Sequence, residues 1–239
     1  MKKFIIVLMA FAIVFMGISC SKGSDTASAT QTAAKEAAPA SDSTTPSTGT
    51  VDTEYDPNRS VDFVRQTSEN KRVVTIGKID KRRFAQPVFV TSFGQSTDAA
   101  MIDTVMKRIG VNYVYNATAE ASALSGYKTV VIAVGASTKG LGAAGISEAD
   151  ETARAKAIMD FINANGIEVI CCHIGGSSRR GSLSDDYADI VMAKAGYIVL
   201  KEDANFDYKF TKYAEEHSLP ISLIYATKDV LTVFTELFK

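Results

Sequence analysis

From Gln86 to Lys239 the chain alternates short apolar runs with amphipathic stretches, and this alternation constrains the fold more than any other feature. Pro87–Thr91 (PVFVT) and Lys128–Val134 (KTVVIAV) are continuous apolar runs of the kind that lie buried in a parallel sheet. Between them Met101, Ile102, Val105, Met106 and Ile109 recur at helical spacing, and Gly110 supplies the stop. Asn112–Asn116 reads as a second strand. Ser147 is a helix N-cap, with Glu148, Asp150 and Glu151 at the positive helix end. The spacing predicts a buried stripe of Ala153, Ala157, Ile158, Phe161 and Ile162, ended by Asn165-Gly166. Further on come a strand at Ile167–Ile174, a helix capped by Ser184 that carries Tyr187, Ile190 and Val191, and a strand at Tyr197–Leu200. A helix around Phe206–His217, a strand at Ile221–Tyr225 and a final helix opened by Thr227, with Leu231, Phe234 and Leu237 inward, complete the pattern.

Strands and helices of these lengths predict an α/β fold, a three-layer sandwich with a mostly parallel sheet between helices. Right-handed crossovers follow from strand twist. The expected architecture is flavodoxin-like (Rossmann-like), with about five or six core strands in the order 2-1-3-4-5. Ligands of such sheets bind at the carboxyl ends of the strands, where the strand order reverses. That rule sets three segments side by side: Ser92–Asp98, Gly135–Ser147 and Gly175–Ser184.

The three segments are rich in Gly, Ser and Thr, which leave backbone N–H groups accessible and add hydroxyl donors. Each leads into a helix N-terminus, a natural place for an anion. Lys139, Arg179 and Arg180 add positive charge at the same rim, and an arginine can grip a carboxylate or phosphate as a planar fork. The candidate ligand-binding residues are Gln95, Ser96 and Thr97; Ser137, Thr138, Lys139 and Gly140; and His173, Gly175, Gly176, Ser177, Arg179 and Arg180. The expected ligand is a small anion. The competing reading is ordinary turn chemistry, with both arginines solvated or at most one pointing inward. His173 stands near the carboxyl end of its strand, where a neutral imidazole can donate one hydrogen bond. Asp98, Asp185 and Asp186 read as first-turn helix charges, Asp98 being near enough to reach a bound cation. His217, in the last turn of a helix, is explained by the negative helix end.

Other chemistries are excluded on the residues. Gly140-Leu141-Gly142-Ala143-Ala144-Gly145 matches the dinucleotide pattern G-x-G-x-x-G, but five residues separate it from the strand. The acidic residue expected at the end of the next strand is missing, since Glu168 begins that strand. A phosphate-binding P-loop needs Lys where Leu141 stands, and no G-x-S-x-G elbow occurs. No cofactor is therefore expected. Cys171 and Cys172 lie inside a strand, where Cys behaves as a small hydrophobe, and a bridge between neighbours would be strained. Two His in the chain argue against a His-based metal site. A formal net charge of −1 and a pI near 6.2 give no basis for nucleic-acid binding.

The first 85 residues follow different rules. Lys2 and Lys3 precede an apolar run, Phe4 to Met16, of about 13 residues, too short to span a bilayer, which takes roughly 20. Gly17-Ile18-Ser19 then leads to Cys20. This is the layout of a signal peptide over residues 1–19. A Cys after small residues resembles a bacterial lipoprotein cleavage site, although Gly17 stands where Leu is usual. The resemblance implies lipidation of Cys20, anchoring to a lipid bilayer and a place in the cell envelope. Residues 20–50 are dominated by Ala, Ser and Thr and read as a tether, and residues 51–85 as a transition with a short strand at Val73–Ile76. Residues 86–239 form the α/β domain.

Three stretches, TSFGQSTDAAM (Thr91–Met101), VGASTKGLGAAGI (Val134–Ile146) and HIGGSSRRGSLSD (His173–Asp185), together with EEHSLPISLI (Glu215–Ile224), resemble a bacterial family known as domain of unknown function 6305. The resemblance spans about Gln86 to Lys239. It implies an exported or surface-tethered α/β domain and brings no reaction with it. Three functions remain open: binding of a small anion at the rim, hydrolysis or group transfer using His173, Asp98 or Ser96, and partner binding in the envelope.

Overall fold

The computed structural model describes residues 67–239. The leader, Cys20 and the tether lie outside the described residues, as does the first part of the transition segment. Seven strands and six α-helices follow in the chain: β1 (Val73–Ile76), β2 (Val88–Phe93), α1 (Asp98–Ile109), β3 (Tyr113–Tyr115), β4 (Thr129–Val134), α2 (Thr138–Ala144), α3 (Glu148–Asn165), β5 (Glu168–His173), α4 (Ser182–Met192), β6 (Tyr197–Lys201), α5 (Lys209–Glu216), β7 (Ile221–Ile224) and α6 (Val230–Phe238). They build one sheet in the order β1-β7-β6-β5-β4-β2-β3. Every neighbouring pair is parallel except β1 with β7. The six parallel strands thus keep the doubly wound order expected of the sequence, and an antiparallel strand closes one edge.

Strand residues alternate between two cores because successive side chains point to opposite faces. Val130, Ile132 and Val134 of β4 join Val169 and Cys171 of β5 beneath Ile158 and Ile162 of α3, Tyr187 and Val191 of α4, and Phe210 of α5. Val131 and Ala133, with Ile170 and Cys172, pack against Ile102 and Met106 of α1 and Phe234 and Leu237 of α6. Both faces are therefore covered, giving the three layers. Ile132 is fully buried between strands and helices, and its truncation to Ala would cost about 2–5 kcal/mol.

Four local expectations are corrected. β2 runs on through Ser92 and Phe93, both fully buried, so the following turn is shorter than the polar sequence suggests. The Gly-rich segment after β4 holds a helix, α2, where a loop is expected. The buried face of α3 is Glu151, Arg154, Ala155, Ile158, Met159 and Ile162, while Ala153 and Ala157 face solvent. α4 begins at Ser182, so Ser184 lies inside the helix rather than capping it. The strand order reverses between β2 and β4, and the segments after β2, β4 and β5 open at that point.

Candidate functional site

The segments after β2 and β4 are joined backbone to backbone. Gln95 pairs with Ala136 as an isolated bridge, the Gly135 N–H donates to Phe93 O at 3.0 Å, and the Ser137 N–H donates to Gly94 O at 2.8 Å. Two glycines are required by this contact. A Cβ on Gly94, where φ is +94°, would stand 2.5 Å from the Gly135 carbonyl oxygen, and one on Gly140 would stand 1.9 Å from that of Gln95. The segment after β5 is tied in through α4, whose Ser184 hydroxyl accepts the Ala136 N–H at 2.8 Å. The three segments predicted to meet do meet.

A buried ion pair under this junction orders it. Glu151 is fully buried, and its carboxylate accepts the Gly94 N–H at 2.8 Å and the Gln95 side-chain amide at 3.1 Å. Arg154, one turn further along α3, grips the same carboxylate through Nε and Nη2, each at 2.8 Å. Its remaining donors reach the carbonyls of Ala119 and Ser92. Gln95 also donates to Ala117 O at 3.0 Å. The expectation that the Gln95 amide faces a ligand is thus corrected: with φ of +56° its side chain turns inward to Glu151. Ser137 is likewise committed, capping α2 by accepting the Gly140 N–H at 3.0 Å. The sequence reading missed Glu151 and Arg154 as a buried pair. Their signal was an E-x-x-R spacing, which sets both on one helix face.

Arg180 is also corrected from ligand fork to internal clamp. Its Nε and Nη2 donate to Asp185 at 2.7 and 3.0 Å, and its Nη1 and Nη2 donate to Asp207 at 3.0 and 2.7 Å. Nη1 also reaches Ala204 O. The guanidinium lies over Phe206 and Phe210, with side-chain exposure of 4%. All its donors are used within the protein, and both carboxylates are held below their ordinary range by it, against the opposing effect of burial.

The rim itself is made by Ser96, Asp98, Gly175 and Arg179, with Lys201 and Asp203 alongside. Asp98 opens α1 and is 5% exposed, and its backbone N–H donates to the Ser96 hydroxyl at 3.3 Å. Among the described residues its Oδ2 has no hydrogen-bond partner. A Cβ on Gly175 would stand 2.4 Å from Arg179 Cγ and 2.7 Å from Asp98 Oδ2, so the absent side chain leaves the space in which those two groups meet. Burial raises the Asp98 carboxyl above its ordinary value, and Arg179, Ser96, the Gly175 backbone and Lys201 counter this in part. Arg179 is half-buried, and beyond its backbone N–H to Gly176 O at 3.0 Å its side chain makes no hydrogen bond or ion pair among the described residues, acting on Asp98 through space. Lys201 is paired with Asp203 at 2.6 Å, and Gly176 lies so close to both that a Cβ there would meet them within 2.7 Å. Thr97, Thr138, Lys139 and Ser177 are exposed around this centre. The rim is thus charge-balanced rather than positive, because the Asp98, Asp185, Asp203 and Asp207 carboxylates face its cations.

His173 is fully buried at the end of β5, its ring 5.5 Å from that of Phe210. Neither ring nitrogen meets a partner at hydrogen-bond geometry among the described residues, and burial lowers its pKa, with Arg180 acting in the same direction and the nearby Gly176 and Val134 backbones against it. Its side chain lies on the face of Cys171, opposite to that of Cys172. Both thiols are free and buried, which pushes Cys171 up to about 12 and Cys172 well above its ordinary value. His217 accounts for itself locally, through Tyr213 O at 2.9 Å and a stack on the Tyr213 ring. A groove of about 500 Å³ lies at the other end of the sheet, lined by Ile76, Lys78, Arg83, Glu215 and Pro220. It stands at the amino ends of the parallel strands, away from the switch point. Among the described residues no cluster of acidic, His and Cys side chains is arranged to hold a metal, and no helix is long and apolar enough to cross a membrane.

Comparisons with known proteins add a family. The family model described as Domain of unknown function (DUF6305) matches residues 85–238. No curated protein matches the chain. Among solved structures, the chain is similar to a dTDP-4-dehydrorhamnose reductase from Clostridium acetobutylicum, at 7% identity over 64% of this chain and 82% of that one, with a TM-score of 0.34. It is also similar to a GDSL-like lipase from Bacteroides thetaiotaomicron, at 13% identity over 56% of this chain and 65% of that one, with a TM-score of 0.27. At these scores neither likeness carries a reaction or a residue role to this chain.

Proposed function

The chain belongs to this family of unknown function, and from that premise we propose that it is a lipid-tethered cell-envelope domain that binds a small ligand carrying an anionic group. The ligand sits at the rim between the segments after β2, β4 and β5. The observation that carries this reading is the split between two adjacent arginines: Arg180 has every donor engaged, whereas the Arg179 side chain, beside Gly175, makes no hydrogen bond or ion pair among the described residues. Exposed Lys139, Thr138 and Ser177 stand ready to add contacts. Cys20 supplies the tether by the lipoprotein-like sequence around it.

A thermal-shift series on the full chain tests this with short carboxylates and inorganic phosphate. Binding stabilises the protein by RT ln(1 + [L]/Kd), about 2.7 kcal/mol at 100 Kd. A shift abolished by Arg179→Ala is the expected result, and no shift with any anion sinks the proposal. Hydrolysis or group transfer would need a nucleophile hydrogen-bonded to its base, and no observation favours it, because His173 turns to Phe210. Partner binding draws on Phe206, 57% exposed beside the rim, but one side chain is not an apolar patch.

A further inference from the structure

We propose that Asp98 reads a second group on the ligand, so that the site takes small carboxylates bearing a hydroxyl or ammonium on the adjacent carbon; this rests on the anion-binding reading above. Asp98 is nine-tenths buried, its Oδ2 lacks a hydrogen-bond partner among the described residues, and that atom points at the gap beside Gly175. A buried carboxylate oxygen without a partner costs free energy. Ser96 and the Gly175 backbone lie close enough to favour the charged carboxylate, yet among the described residues neither meets Oδ2 at hydrogen-bond geometry, so that oxygen is left for a ligand. The Arg179 stem covers the same gap, with its Cγ near the position a Gly175 Cβ would take. An anion gripped by the Arg179 fork draws this stem off Asp98 and sets the neighbouring ligand carbon against Oδ2. A donor on that carbon then supplies the missing hydrogen bond. The charge balance fits the same ligand: Arg180 and Lys201 are already neutralised by carboxylates, which leaves one free fork and one free acceptor rather than a positive basin. Glycine at 175 follows, because any side chain there would occupy the contact between the two groups.

The test uses propionate, L-lactate and L-alanine, which share a carbon skeleton and differ only in what the second carbon carries. Affinities for the full chain are measured by calorimetry, for the wild type, Asp98→Asn and Arg179→Ala. L-lactate or L-alanine is expected to bind about tenfold or more tightly than propionate, a difference of about 1.4 kcal/mol. Asp98→Asn should erase the advantage of L-lactate and L-alanine over propionate, and Arg179→Ala should weaken all three. Equal affinity for the three ligands in the wild type overturns the role of Asp98 while leaving the anion site standing, and needs no variant. An advantage that survives Asp98→Asn in a protein with wild-type circular dichroism overturns it as well. Absence of binding by all three, and by phosphate, removes the anion site and this inference together.

Discussion

Arg179 and Arg180 share a side chain and a place in the sequence, yet the fold separates them by what surrounds each guanidinium. Arg180 joins the segment after β5 to Asp185 of α4 and to Asp207 before α5, so its loss unties three pieces of chain at once. Arg180→Ala should lower stability by about 1–3 kcal/mol in urea unfolding, below the 3–5 kcal/mol of a fully buried pair because Asp207 is 40% exposed. Arg180→Lys should recover only part of this, since an ammonium cannot serve two carboxylates as a fork. Arg179→Ala should leave the unfolding midpoint near that of wild type. Two buried titrating groups at the rim act in opposite directions. Burial raises Asp98 above its ordinary 3.8, so its ionisation opposes folding, and the stability it contributes is lost as pH rises through its folded pKa. Burial lowers His173 below 6.5, so the stability of the neutral ring is present above that pH and is lost as pH falls toward its folded pKa. Urea unfolding across pH 4 to 8 should therefore show Asp98→Asn gaining on wild type toward the alkaline end. His173→Gln should flatten the decline on the acid side. Parallel curves for wild type and both variants would contradict these assignments.

At the scale of elements, the strands were the most legible part of the sequence, because runs such as KTVVIAV are long, apolar and bounded by turns. The three-segment rim was legible for the same reason, through the order of strands it implies. α2 was not. Its residues, TKGLGAA, contain two glycines that disfavour a helix, and it forms because Ser137 caps it and Ile146 and Gly145 close its end with N–H bonds to Leu141 and Gly142. Tertiary contact outweighs propensity here: Gly140 is glycine because the helix start lies against the Gln95 backbone, not because it must cradle a phosphate. The same pressure explains why residues predicted to face a ligand instead hold the loops together, Gln95 through Glu151 and Ser137 through its cap. Glu151 itself was hidden, since an acidic residue in the first turn of a helix already has a sufficient reason to be there. Gly140→Ala sets a methyl group into the Gln95 carbonyl and should destabilise by about 1–3 kcal/mol, whereas Gly142→Ala, with open space around it, should be neutral or stabilising through helix propensity. Thermal melts of the two variants separate a packing role for Gly140 from a loop tolerant of any small residue.

Across the whole molecule, the entry of the chain and the rim share one end of the sheet. β1 runs antiparallel to β7, pairing Val73 with Ile224, the last residue of that strand. Arg72 is held there by Asp229 at 2.7 Å, and its carbonyl accepts the Tyr225 N–H at 2.8 Å. The chain thus enters the described fold at the carboxyl ends of the parallel strands, the end at which the segments after β2, β4 and β5 open. The proposed tether at Cys20 is separated in sequence from the described fold, whose two cores are built from residues of the α/β domain, and anchoring is therefore expected to be independent of folding. Cys20→Ser expressed in a bacterial host should therefore abolish incorporation of labelled palmitate and move the protein from the membrane pellet to the soluble fraction, because a single anchoring Cys carries the acyl chains. Its melting temperature and its response to anions should stay those of the wild-type chain. Retention of the Cys20→Ser protein in the pellet after a high-salt wash would remove the lipid tether from the proposed function, and loss of the anion response in that variant would show that the rim depends on the segment before residue 67.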